Sequence, residues 1–161
     1  MHPADFFHPT YLSELGASLR IVLAAMLGIA LGLERSIAGK HAGMRTYGLV
    51  AVGSCLFTVV GVLATYQFAI FPGINPLQLA SSVIIGIGFV GTGLAMFRDS
   101  HPVELTTAAG IFVAAGIGMA VGFGFIMLSV VTVAVSLLVL RVFTRLEKAV
   151  QKKFGDGVEG E

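Results

Sequence analysis

The sequence is short of charge. Asp, Glu, Lys and Arg make up only 12% of its 161 residues, against about 25% in an ordinary soluble domain. That supply is too small to solvate a globule of this size, so a soluble enzyme is disfavoured. Cysteine is nearly absent, and Cys55 standing alone rules out an intrachain disulfide. A net charge of +1 gives no basis for binding nucleic acid. Met1 to Thr10 lacks a basic segment followed by an apolar core, so no signal peptide is expected. What the chain has in quantity is apolar and small. Hydrophobic residues reach 56% and mean hydropathy is +0.92, which excludes disorder. The 21 glycines amount to about 13%, roughly twice the usual share, without any collagen-like period. These features together describe a polytopic membrane protein whose helices meet at glycines.

Gaps between charges count the spans. From Leu15 to Leu33 the sole charge is Arg20, from Thr46 to Phe97 there is none over 52 residues, and from Leu105 to Leu140 there is none over 36. A hydrocarbon core about 30 Å thick takes about 20 helical residues, so the longer run is two spans and a turn. Phe71 to Pro76, with two prolines, a glycine and an asparagine, supplies that turn. The 36-residue run would measure about 54 Å as one helix, too long for any reasonable tilt. Gly122-Phe123-Gly124 is the place to break it. The expectation is an all-α bundle of five transmembrane helices near residues 15–33, 46–65, 77–97, 105–121 and 125–140. Residues 1–140 form the membrane domain and 141–161 a basic tail. With the N-terminus outside and the C-terminus cytoplasmic, nine of the ten basic residues fall on the inner side, the arrangement that retention of positive charge favours. Basic residues from Arg141 to Lys153 then sit against anionic lipid head groups.

Small residues four apart let helix backbones approach closely in lipid. Gly28 and Gly32 lie so in the first span, and Gly118 and Gly122 in the fourth, with Gly110 and Ala114 extending that ridge. The third span is densest, with Gly86, Gly88, Gly91, Thr92 and Gly93. These residues point to tight packing, to a seam between copies, or to a thin-walled passage. Gly86 to Gly91 also matches the G-x-G-x-x-G dinucleotide pattern. That pattern needs a preceding strand and a phosphate-facing helix start, and mid-span neither is available.

Ionisable residues outside the tail gather in two short cytoplasmic segments, Glu34 to Thr46 and Arg98 to Thr107. A charge at the bilayer boundary is costly unless paired, so Glu34 is expected to pair with Arg45 or Arg98 and brace the ends of spans 1 to 3. Glu34, Arg35, Lys40, Arg45, Thr46, Arg98, Thr106 and Thr107 make the expected functional face. Thr106 and Thr107 are placed to satisfy open amides at the start of span 4. Asp99, His101 and Glu104 supply oxygen and imidazole, but a Mg²⁺ site draws on carboxylates and water, so no metal site is assigned. No serine in a span has a His and Asp beside it for nucleophilic catalysis. Neither an enzyme nor a cofactor is expected.

Three blocks carry a resemblance. Gly32-Leu33-Glu34-Arg35 is followed by Gly39 to Thr46 and then by Leu49-Val50 and Gly53; Gly86 to Gly93 and Leu105-Thr106-Thr107-Ala108-Ala109 are the others. In this order and spacing the chain resembles the MgtC/SapB family of bacterial inner-membrane proteins. The resemblance implies a role in adaptation to magnesium limitation or to life inside a host. It also implies action as a modulator of other membrane complexes, the proton-translocating ATP synthase among them. The family's usual Asp-Pro start, arginine and glutamine before the glycine block are matched here by Asn75, Gln78 and Ser82, and Glu104 replaces a glycine. The soluble C-terminal domain of larger members is not expected in this chain. Mechanisms that need those groups do not carry over. The expected function is therefore a modulator working by helix contact, as a homodimer in the inner membrane. The alternative is a small Mg²⁺ or proton channel or transporter with its path along spans 3 and 4.

Overall fold

The computed structural model describes residues 13–67, 75–96 and 105–155. They form five helices: α1 (Glu14–Ile37), α2 (Met44–Gln67), α3 (Pro76–Met96), α4 (Leu105–Phe123) and α5 (Ile126–Gly155). A helix lies at each of the five expected stretches, with ends within a few residues of the expected limits except that α5 continues well past Leu140. Four helices are long and apolar enough to cross a membrane, and α3 carries a shorter apolar stretch, Leu77–Gly93. The protein is an all-α membrane protein.

The helix ends follow local chemistry. Ser13 caps α1, its Oγ accepting from the Gly16 amide at 3.1 Å. At the other end, Gly39 takes a left-handed φ of +69°. Its amide donates to Ser36 O at 3.1 Å, and that of Lys40 to Arg35 O at 3.0 Å. The same closure ends α4. Gly124 has φ +90°, with Gly124 N donating to Val121 O and Phe125 N to Ala120 O at 2.9 and 2.8 Å. Both are the six-to-one and five-to-two pairs that glycine permits after a helix. The expected break at Gly122–Gly124 therefore falls on Gly124. Asn75 and Pro76 start α3, with Asn75 Oδ1 accepting from the Leu77 amide at 2.9 Å. The rest of the expected turn, Phe71 to Ile74, lies outside the described residues.

The core is built from α1, α2 and α4, and α2 makes its most extensive contacts with these two neighbours. A Cβ on Gly28 would lie 2.7 Å from both Ala51 Cβ and Tyr47 O, and one on Gly32 2.7 Å from Met44 Cα. One on Gly118 would strike the Ala51 carbonyl, and one on Gly122 would lie 2.7 Å from Thr58 Cβ. No side chain fits between these backbones. The close contacts expected of spans 1 and 4 are present. Large apolar side chains point the other way: Leu15, Leu19, Val22, Met26, Ile29, Leu33 and Ile37 of α1 recur every three or four residues and are all exposed. An apolar face of that size is a lipid contact, since water would not tolerate it.

Arg20 answers the one charge within the first span. Its Nη1 donates to Gly122 O at 3.0 Å, placing a cation at the C-terminal end of α4, where the helix dipole favours it. Replacing Arg20 by Leu should lower stability by about 1.5–3 kcal/mol, the usual worth of a charged hydrogen bond. Lys should recover part of the loss. Unfolding in mild detergent measures both.

Candidate functional site

Of the expected functional residues, Glu34, Arg35, Lys40, Arg45 and Thr46 lie around the α1–α2 turn, and Tyr47 bonds Thr107 at the same end of the bundle. Glu34 and Arg35 belong to the last turn of α1 rather than to a loop, because α1 runs to Ile37. Arg35 Nε donates to Glu34 Oε2 at 2.6 Å and Arg35 Nη2 to Oε1 at 3.1 Å. This fork-to-fork geometry is the strong form of a carboxylate–guanidinium pair. The two side chains are 9% and 3% exposed. The structure corrects the expected Glu34–Arg45 pair, while the alternative Glu34–Arg98 pair lies outside the described residues. The neighbouring Arg35 folds back along its own helix and fills both carboxylate oxygens, while Arg45 is exposed in the first turn of α2. Arg98 lies outside the described residues, as do Asp99, His101 and Glu104.

Two further contacts join the helices at this end. Ser36 Oγ accepts from the Met44 amide at 3.2 Å, so α1 caps the start of α2. Tyr47 Oη donates to Thr107 O at 3.3 Å and ties α2 to α4. Tyr47 is fully buried, and Gly110 faces its ring and hydroxyl, where a Cβ would collide with Oη. Around it lies the larger of the two hydrophobic clusters, with Leu31, Ala42, Ile111, Ala114, Ile117 and Val133. Leu137 and Leu140 pack on that cluster, which brings α5 to the same end. Thr107 is buried, and its carbonyl accepts the Tyr47 bond. Thr106 is exposed, and Lys40 and Thr46 are half-buried.

Sequence reasoning missed Tyr47 and Ser36. A signal existed for the first: a tyrosine in an otherwise apolar span needs a partner for its hydroxyl, and Gly110 leaves room for it. Ser36 had no such signal, because the bond depends on how the α1–α2 turn folds.

The α3 block behaves differently from the other glycines. A Cβ on Gly86, Gly88 or Gly93 would meet no atom within 4 Å among the described residues, and one on Gly91 would reach Ala108 Cβ at 3.9 Å. Among the described residues, tight packing thus gathers at Gly28, Gly32, Gly110, Gly118 and Gly122, while the α3 glycines are open, as are Gly53 and Gly116. Thr92 Oγ1 donates to Gly88 O at 2.8 Å, and Thr58, Thr65, Ser82 and Ser129 bond in the same way to the carbonyl four residues back. These five hydroxyls thereby satisfy their donors within their own helices, as hydrocarbon favours. Among the described residues no group of three His, Cys, Asp or Glu side chains is placed to hold a metal.

The three blocks of the sequence therefore meet around one bundle, and comparison with known proteins assigns it. The model of the MgtC family matches residues 21–149. The chain belongs to the MgtC family. YhiD of Escherichia coli K12, described provisionally as a magnesium transporter, is 41% identical over 133 residues, covering 80% of this chain and 60% of YhiD. SapB of Bacillus subtilis is 38% identical over 110 residues, 66% of this chain and 47% of SapB. MgtC of Salmonella typhimurium LT2 is 33% identical over 106 residues, with 66% and 43% covered. The matched part spans three fifths or less of each of these relatives. No solved structure matches the chain.

Removing one partner of a buried ion pair strands the other charge, which costs about 3–5 kcal/mol. Arg35→Met should destabilise the protein by that amount. The double variant Glu34→Leu/Arg35→Met should recover most of the loss, as read from melting in detergent.

Proposed function

We propose that this protein is an inner-membrane modulator. It acts by helix-to-helix contact as a homodimer and adjusts another membrane complex during magnesium limitation or envelope stress. The observation that carries this reading is the open glycine face of α3. Gly28 and Gly32 of α1 and Gly110, Gly118 and Gly122 of α4 are crowded by neighbouring helices, whereas a Cβ on Gly88 meets nothing within 4 Å among the described residues and Gly88 is flanked by exposed Ser81, Ile85 and Thr92 on one face of α3. In lipid, association depends on backbones coming close, and small residues on an uncovered face permit it. The N-terminus is assigned to the outside and the C-terminus to the cytoplasm. This orientation puts Lys40, Arg45, Arg141 and Arg145 on the inner side, where basic residues are retained. The functional face is then the cytoplasmic end, with Arg45, Thr46, Lys40 and Thr106 accessible and Glu34, Arg35 and Thr107 buried beneath them. Arg98 joins this face by its place in the sequence. The family resemblance makes the ATP synthase the first complex to test as a partner.

The provisional description of YhiD favours transport as a second reading, with Gly86 to Gly93 beside the path. Two measurements separate the readings. Gly88→Leu should leave the monomer's melting unchanged and weaken self-association about tenfold, a change of about 1.4 kcal/mol, because a Cβ on Gly88 meets nothing within 4 Å among the described residues. Unaltered dimer crosslinking would contradict the seam. Purified protein in proteoliposomes should carry Mg²⁺ or protons no faster than empty vesicles do. Flux above that background would replace the modulator reading with transport.

A further inference from the structure

An apolar groove of about 470 Å³ runs between α2 and α3. Leu49, Gly53 and Phe57 line one wall, and Val83, Gly86 and Val90 the other. Its volume is in the range of ligand pockets, and its shape follows from the sequence. Gly53 and Gly86 remove side chains from facing walls, and a Cβ on either would meet nothing within 4 Å. Leu79 closes the far end: its Cδ1 would lie 2.9 Å from a Cβ on Gly61. The lining residues nearest the start of α2 are Leu49 and Val50. There Arg45, exposed, stands one turn before Leu49, and Thr46, half-buried, stands one turn before Val50 on the groove wall. From Arg45 to Phe57 the helix rises about 18 Å at 1.5 Å per residue, close to one leaflet of a core about 30 Å thick.

An oily slot about one leaflet deep, with an exposed arginine one turn beyond its lining, suits a phospholipid. We infer that the α2–α3 groove holds an acyl chain of an anionic phospholipid, with Arg45 gripping the phosphate. Arg suits phosphate because its planar fork donates two parallel hydrogen bonds. Attraction of a basic residue to anionic lipid is felt at the membrane surface, where Arg45 lies. The groove side of α3, marked by Gly86, is turned about 160° from Gly88, given 3.6 residues per turn. The lipid site is therefore separate from the seam proposed above and stands or falls apart from it.

Because the chain has no tryptophan, Phe57→Trp places a single fluorophore on the groove wall. Phe112→Trp, on an exposed position of α4, serves as the control. Both are reconstituted in phosphatidylcholine vesicles containing a minor fraction of phosphatidylglycerol, with brominated acyl chains on one lipid at a time. Phe57→Trp should be quenched by brominated phosphatidylglycerol about fivefold more than its mole fraction predicts, the enrichment expected of one basic anchor, and Phe112→Trp should show no enrichment. Arg45→Gln should abolish the preference and Arg45→Lys should keep most of it. Gly86→Leu, whose Cβ meets nothing within 4 Å among the described residues and whose longer side chain enters the slot, should lower quenching at Phe57→Trp by both lipids. Equal quenching by the two lipids at Phe57→Trp, or a preference that survives Arg45→Gln, would overturn the assignment. So would a Phe57→Trp shielded from both lipids, because another polypeptide would then cover the groove.

Discussion

Everything in this fold depends on how closely α1, α2 and α4 approach one another. Lipid tails solvate a leucine as well as a neighbouring helix does, so burial of apolar surface cannot hold the bundle together. Contact between backbones can. At Gly28, Gly32, Gly118 and Gly122 the partner helix occupies the volume a Cβ would fill. The same proximity brings Tyr47 Oη to the Thr107 carbonyl, Ser36 Oγ to the Met44 amide and Arg20 to the end of α4. The polar bonds between helices are thus consequences of the small-residue contacts. They would lengthen together if those contacts widened.

The bundle has a firm side and an open side. Sealed contacts on the firm side bury Glu34 and Arg35 as a matched pair, so two charges survive at the end of a span without water. On the open side, α3 offers one glycine-containing face and, with α2, one groove that the described residues leave unfilled. A membrane protein that acts on other molecules needs such surfaces, and here they are concentrated on one helix. Membership of the MgtC family fits this division, since the blocks that carry the resemblance are the Glu34–Arg45 turn, the α3 glycines and the start of α4.

Much of this was legible in the sequence. Uncharged runs bounded by basic residues fixed the number of spans, because hydrocarbon thickness leaves little freedom in their length. Glycines four apart in α1 and α4 marked the contacts that formed. Pairing was less legible. Glu34 was expected to reach across to another helix, yet Arg35, adjacent in sequence, folds back to meet it. Adjacent residues on a helix point about 100° apart, so periodicity argued against a pair that arginine's long, flexible stem makes possible. The α3 glycines were ambiguous for a different reason: a sequence shows where a backbone can be approached, but not by which helix. Tyr47 was hidden by its apolar neighbours, although the small residue it needs, Gly110, was already visible on the α4 ridge.

A comparison of glycine substitutions tests the central claim directly. Unfolding of Gly118→Ala and Gly86→Ala should be measured against the parent protein in the same detergent. The added methyl at Gly118 strikes the Ala51 carbonyl, whereas that at Gly86 meets open space. The account predicts that Gly118→Ala destabilises the bundle by about 1–3 kcal/mol, the range for overpacking a close contact. Gly86→Ala should match the parent or exceed it slightly, as alanine favours helix. Equal stability of the two variants, or a greater loss at Gly86, would contradict it.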